Sequence, residues 1–234
     1  LKAVDIEPVP EKDASILQRF AKVFEQTYTR FLDLQKAEAQ AREAQIEAAL
    51  ERVRSRTMAM HNSFDLLSVV EILYLEMSRL DVELTRIVLL TINPETLGMH
   101  WWMANPEMNF KAKGYLVPHN ELPMTLSMIE AWKNKLSTWW FNLEGKNKEQ
   151  YDNFIFTKSE LSQLPKEVRT AMSSLKQIYI SGYCDNFGIL TTSSLATLSS
   201  SNADLLVRFG KVFEQSYTRF LDLQKAEAQA REAQ

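Results

Sequence analysis

One string of 27 residues occurs twice in this chain. RFAKVFEQTYTRFLDLQKAEAQAREAQ at 19–45 returns as RFGKVFEQSYTRFLDLQKAEAQAREAQ at 208–234, and only Ala21/Gly210 and Thr27/Ser216 differ. Arg19 and Arg208 stand 189 positions apart, too far for a solenoid repeat and suited to one domain plus a linker. The same shift sets Leu1-Lys-Ala-Val-Asp-Ile against Leu190-Thr-Thr-Ser-Ser-Leu. The chain is therefore expected to be a segment of a tandem protein. Residues 1–14 would be a remnant of a preceding module, its last strand, and 15–61 a linker helix. Residues 62–201 would form the one complete domain, and 202–234 an exit helix repeating 13–45.

The linker predicts a long helix. Phe20, Phe24, Tyr28 and Phe31 make one apolar stripe at helical spacing. Residues 36–45 have alanine as their only apolar type, among good helix formers, with Glu38 and Arg42 as a supporting pair. From Ile46 a heptad seam begins: Ile46, Leu50, Val53, Thr57, Met60, Phe64 and Leu67 follow at alternating steps of four and three. Leu34, Ala37, Ala41, Ala44 and Ala48 make a competing stripe, so a stutter is expected near 44–48. Such a seam predicts a homodimer through parallel helices; the alternative is that it docks onto its own domain.

Within 62–201 the pattern alternates. Residues 63–78 read as an amphipathic helix burying Leu66, Leu67, Val70, Leu73, Tyr74 and Met77. Arg86–Ile92 is β-branched and aliphatic, a strand composition, and Asn93-Pro94-Glu95-Thr96 breaks it. Strands are expected at 98–104 and 138–143, with a third candidate at 111–117. Helices are expected from Pro123 to about Leu136, at 147–156 and at 165–175. Gln177–Cys184 and 187–198 read as a hairpin across Asp185-Asn186, and Asn202 starts the exit helix. The sum is an α+β domain on an antiparallel sheet.

Composition sets limits on function. Apolar residues at 45% and aromatics at 10% can build a core, while 27 basic against 30 acidic residues give a net charge of −3. Nothing there invites nucleic acid. Arg52, Arg54 and Arg56 splay around a helix rather than forming a phosphate patch. A single cysteine, Cys184, excludes an internal disulfide and suits a reducing cytoplasm. No apolar run reaches the ~18–20 residues needed to span a bilayer.

Motifs for catalysis are missing. The six glycines form neither a P-loop nor GxGxxG, and there is no G-x-S-x-G elbow. His61, His100 and His119 lie far apart, without metal-ligand spacing. Cys184, near a strand end, reads as a small core residue rather than a nucleophile. No catalytic residue, metal or cofactor is expected, and the segment reads as a non-enzyme. A binding site is the better expectation. Met99, Trp101 and Met103 share one strand face; His100 and Trp102 share the other, polar beside aromatic. Likewise Trp139, Phe141 and Leu143 oppose Thr138, Trp140 and Asn142. Because small-molecule sites are mostly apolar with a few convergent polar groups, the mixed faces nominate His100, Trp102, Trp140 and Asn142, with Tyr115 joining them.

The order of elements, with long helices entering and leaving, resembles a GAF domain. The strings VFEQTYTRFLDLQKAEAQAREAQ and IEAALERVRSRTMAM resemble linkers that join such domains in multi-domain bacterial sensor proteins, often histidine kinases. That resemblance implies an antiparallel sheet with flanking helices, a small-molecule ligand held between sheet and helices, and a dimeric role in cytoplasmic two-component signalling. Neighbouring domains of the same chain would be its partners. The alternative is a degenerate spacer and dimerisation module with no ligand. Methionine sulfoxide reduction, known among GAF-like proteins, uses several cysteines where this chain has one.

Overall fold

The computed structural model describes residues 10–62, 65–104 and 114–232. It divides into two compact units, Leu1–Glu47 and Ala48–Gln234. The first unit is helical over its described length, being the front of helix α1, Glu11–Met58. Residues 11–14, expected at the end of a remnant strand, are instead the first turn of this helix; residues 1–9 of that remnant lie outside the described residues. Phe24 and Tyr28 stack along the helix with ring centroids 5.8 Å apart, and Tyr28 and Phe31 at 6.3 Å.

The second unit is the α+β domain. Helix α2 is Leu66–Arg79; strands β1, Arg86–Ile92, β2, Met99–Ala104, and β3, Gly114–Val117, follow. Then come α3, Pro123–Lys133, β4, Trp139–Glu144, α4, Gly145–Lys158, a 3-10 turn at Glu160–Gln163, and α5, Lys166–Ser174. The hairpin β5, Gln177–Cys184, and β6, Gly188–Ser194, leads into α6, Ser200–Glu232. The described strands form one six-stranded sheet in the order β3-β2-β1-β6-β5-β4, every neighbouring pair antiparallel.

Local chemistry accounts for the sharpest joints. Gly145 turns directly from β4 into α4 at φ +53, a left-handed conformation that side chains resist; it both ends the strand and opens the helix. In the hairpin turn, Asp185 Oδ1 accepts from the amides of Phe187 and Gly188, both at 2.7 Å, an Asx arrangement that fixes the reversal. β6 ends at Ser194, earlier than the expected 198.

Register sorts side chains onto two faces. Val88, Leu90, Trp101, Met103, Tyr115, Leu143, Ile178 and Ile189 share one face, where α3, α4 and α5 contribute Met128, Tyr151, Ile155 and Met172 to a single core cluster. The opposite face carries Ile87, Leu89, Trp102 and Tyr183, with α2 against β1 and β2 and α6 against β5.

The heptad seam is consumed inside this unit. Leu50, Val53, Thr57 and Met60 are buried, and Arg56 Nε donates to Ser68 Oγ of α2 at 2.9 Å. This stretch of α1 thus faces its own domain, the alternative that the spacing left open beside a second helix. Ile46 belongs to the first unit and is buried; Leu67 is half-buried, and Phe64 lies outside the described residues.

Candidate functional site

A small cavity lies between the sheet and the helices α3, α4 and α5. Its walls are mostly apolar: Val88, Leu90, Leu143, Ile178 and Ile180 from strands, Met124, Met128, Ile155 and Met172 from helices. Its volume is about 50 Å³, room for roughly four water-sized occupants. Set into these walls are Arg86, Trp101, Lys148, Tyr151 and Asp152. Local folding explains their convergence. Lys148, Tyr151, Asp152 and Ile155 recur at the spacing of one helix face, and Arg86 shares the strand face of Val88 and Leu90.

The polar groups divide into satisfied and unsatisfied. Lys148 is ion-paired with Asp152 and donates to the Met172 carbonyl at 3.0 Å. Thr191 Oγ1 donates to the Val88 carbonyl at 3.1 Å. By contrast, the buried Tyr151 hydroxyl and Trp101 Nε1 have no hydrogen-bond partner. Among the described residues the Arg86 guanidinium makes no hydrogen bond or ion pair either. The unpartnered groups therefore all offer N–H or O–H donors.

Electrostatics follow from burial. Desolvation holds the Arg86 guanidinium below its ordinary value, with the Asp152 charge opposing. Burial likewise raises the Tyr151 phenol, so it stays protonated, while Arg86 pulls the other way. Asp152 is raised by burial, against the hydrogen bond and charge of Lys148. A desolvated guanidinium without a hydrogen-bond or ion-pair partner is costly, and the Asp152 charge offsets only part of that cost. An anion small enough for this cavity would offset the rest and would accept from the phenol and indole.

The residues nominated from sequence stand mostly elsewhere. Tyr115 is buried on the cavity's side of the sheet, in the shared core. His100, Trp102, Trp140 and Asn142 are on the opposite face. His100 is exposed, and Trp102 is half-buried with its indole resting on Gly114 of the neighbouring strand. Trp140 is 71% exposed and lines a groove of about 350 Å³ with Tyr179, Ser181 and Leu206. Asn142 accepts from Gln177 Nε2 at 2.9 Å and donates to Glu144 at 2.9 Å. Strand parity thus separates the faces correctly, and the cavity opens on the face that reads as purely core. Its polar groups come from α4 and from the first residue of β1. The i, i+3, i+4, i+7 run of Lys148, Tyr151, Asp152 and Ile155 was the signal in the sequence.

Other candidates are quieter. Burial, aided by the Asp185 charge, pushes the Cys184 thiol up to about 12, leaving it protonated at neutral pH. Among the described residues no three or more His, Cys, Asp or Glu side chains gather to hold a metal. No helix among them is long and apolar enough to cross a membrane. No family model matches the chain, and no curated protein matches it.

Proposed function

We propose that residues 62–201 are a non-catalytic sensory domain of GAF-like plan in a bacterial signal-transduction protein, and that they take a small organic anion in the cavity beneath α3–α5. A single observation carries this: a mostly apolar cavity in which the unpartnered Arg86 guanidinium, Tyr151 hydroxyl and Trp101 indole can all donate. A short carboxylate of about four to six non-hydrogen atoms matches both the size and the hydrogen-bonding demand.

Occupancy has a route outward. β1 presents Arg86 to the cavity and packs its other face under α2, which Arg52 of α1 grips through Glu76 at 2.6 Å. β5 presents Ile178 and Ile180 to the cavity and sends Tyr183 to Glu214 of α6 at 2.8 Å. A ligand favouring one arrangement of these strands would bias both long helices, by no more than its differential affinity for the two states.

Thermal unfolding with a panel of short carboxylates, matched amides and amines provides the test. Carboxylates alone should raise the midpoint, and Arg86→Met should abolish the rise. A cavity of only about 50 Å³ favours a second reading, a spacer domain whose own side chains fill the space. No carboxylate shifting the midpoint, with Arg86→Met otherwise folded, would select that spacer.

A further inference from the structure

The two copies of the 27-residue string have opposite fates. In α6, Phe209, Val212, Phe213, Tyr217 and Phe220 are all buried, none more than 8% exposed. In α1 their counterparts Phe20, Val23, Phe24, Tyr28 and Phe31 are each at least 51% exposed. Identical side chains on the same kind of helix thus have a complete seat in one place and none in the other.

The occupied seat shows what covers such a stripe. Glu214 Oε2 accepts from the Tyr183 hydroxyl at 2.8 Å; its Oε1 accepts from the Asn186 amide at 3.1 Å and from Asn186 Nδ2 at 2.7 Å. Phe187 meets Tyr217 edge-on, centroids 4.9 Å apart. Glu25 and Tyr28 of the first copy retain both of these recognition groups. The covering surface is therefore a β-hairpin turn whose Asn186 supplies amide donors beside the Phe187 ring, with the Tyr183 hydroxyl as an additional donor in this copy.

The only two differences between the copies fall at buried positions of that seat, Gly210 and Ser216. At Gly210 a β-carbon would fall 2.2 Å from Tyr183 Cδ1, 2.5 Å from its Cγ and 2.9 Å from its Cβ. The obstruction is the root of the ring rather than the far end of a flexible side chain. Ala21 carries that β-carbon. At the other position the hydroxyl bond is the same, Thr27 to the Val23 carbonyl and Ser216 to the Val212 carbonyl, both at 2.8 Å; Thr27 adds a methyl group. The first copy keeps the recognition groups and is barred from this chain's own hairpin.

We infer that the exposed stripe of α1 docks on the hairpin face of a second domain of this plan, carried by the same polypeptide, in which a residue smaller than tyrosine stands in the place of Tyr183. The Gly210/Ala21 difference then acts as a key that stops two nearly identical helices from exchanging seats. This inference is independent of whether the cavity takes a ligand.

The test extends the chain by joining residues 48–199, which keep the α1 stretch that belongs to the domain, directly ahead of Glu11, so that the added domain has α1 as its exit helix in the register that α6 has now. Three forms are compared: the added domain with Tyr183 kept, with Tyr183→Ala, and with Tyr183 kept but Ala21→Gly in α1. Maleimide labelling of Val23→Cys reports docking. Labelling should slow by at least tenfold in the second and third forms and not in the first. Equal rates in all three, whether fast or slow, would overturn the inference. So would a dimeric unextended chain with a protected Val23→Cys thiol that Phe24→Glu turns monomeric and exposed, because a second copy would then be the occupant. The selectivity is checked separately in the unextended chain. Gly210→Ala should speed labelling of Val212→Cys by at least tenfold, and adding Tyr183→Ala should slow it again. No acceleration would overturn the key whatever the extended chain does.

Discussion

Arg52, on the entering helix, meets Glu76 of α2 at 2.6 Å, and the Glu76 side chain is wholly buried. Arg79 holds the other carboxylate oxygen at 2.6 Å. Both arginines keep water contact while the carboxylate does not, so the bond pins α1 to the domain at the cost of a buried anion. Burial works to raise the Glu76 carboxyl, but the hydrogen bond and charge of Arg52, with those of Arg79, outweigh it and hold the group below its ordinary value.

Arg52→Ala should destabilise the domain by about 1–2 kcal/mol, since it leaves a buried acceptor short of one partner. Because the folded-state value of Glu76 is depressed, its contribution is present above the unfolded carboxyl value and lost as pH falls through the folded one. Urea unfolding between pH 3 and 7 should show that acid loss in the native chain. It should be shallower in Arg52→Ala and shallower still in Glu76→Gln, where the depressed Asp65 carboxyl still contributes. An unchanged acid limb in Glu76→Gln would assign the loss to other carboxyls.

Arg86→Met should raise the stability of the ligand-free protein by about 1 kcal/mol, ~2–4 °C in midpoint for a domain of this size, because it replaces a desolvated cation that has no hydrogen-bond or ion-pair partner, and whose cost the Asp152 charge offsets only in part, with a hydrocarbon of similar length. Tyr151→Phe should be neutral or mildly stabilising, since its hydroxyl has no partner to lose. Differential scanning calorimetry measures both. Clear destabilisation by Arg86→Met would show that the guanidinium is compensated within the fold.

Gly210→Ala should change sign with its background. Alanine favours a helix over glycine by about 1 kcal/mol, yet in the native chain overpacking against Tyr183 should cost about 1–3 kcal/mol. With Tyr183→Ala already present, the clash is gone and the same substitution should stabilise. A double-mutant cycle by urea unfolding yields the coupling; additivity would mean that the ring and the helix make room for each other.

Asp185 gives a pH dependence of the opposite sense to Glu76. Burial, with the Glu214 charge, pushes its carboxyl up to about 6, against the amide hydrogen bonds of Phe187 and Gly188, and its Oδ2 has no partner. Tyr183, Cys184, Glu214 and Tyr217 are the groups facing it. A raised folded value means that stability is greatest below the unfolded value near 4 and declines as pH rises through about 6. Asp185→Asn keeps an oxygen for the two amides and removes the charge. It should flatten stability between pH 4 and 6 and add about 1–3 kcal/mol at pH 7. A retained slope in that variant would place the titration elsewhere.

Which parts were legible in the sequence follows from how local their causes are. β1 and β5 match their expected bounds because β-branched and aromatic runs end at turn chemistry, Asn93-Pro94 and Asp185-Asn186. The burial of α2 on Leu66, Val70, Leu73, Tyr74 and Met77 follows from helical period alone. In β1 both faces are apolar apart from its ends, so alternation says nothing about which face Arg86 joins. In β2 and β4 alternation separates the residues without saying what lies across from either set. His100 and Trp140, polar and aromatic, look out from the domain, while the core-like face meets the charged stripe of α4.

The repeat draws that line most sharply. By itself the sequence determined the helices, their period and the stripe of Phe, Tyr and Val that each copy carries, because these arise from neighbours a few residues apart. Whether a stripe is buried depends on a surface supplied from elsewhere in the fold. Only the tertiary structure decided that the second copy is seated on the β5–β6 turn while the first stands exposed, and that a single missing β-carbon at Gly210 is what the seat requires.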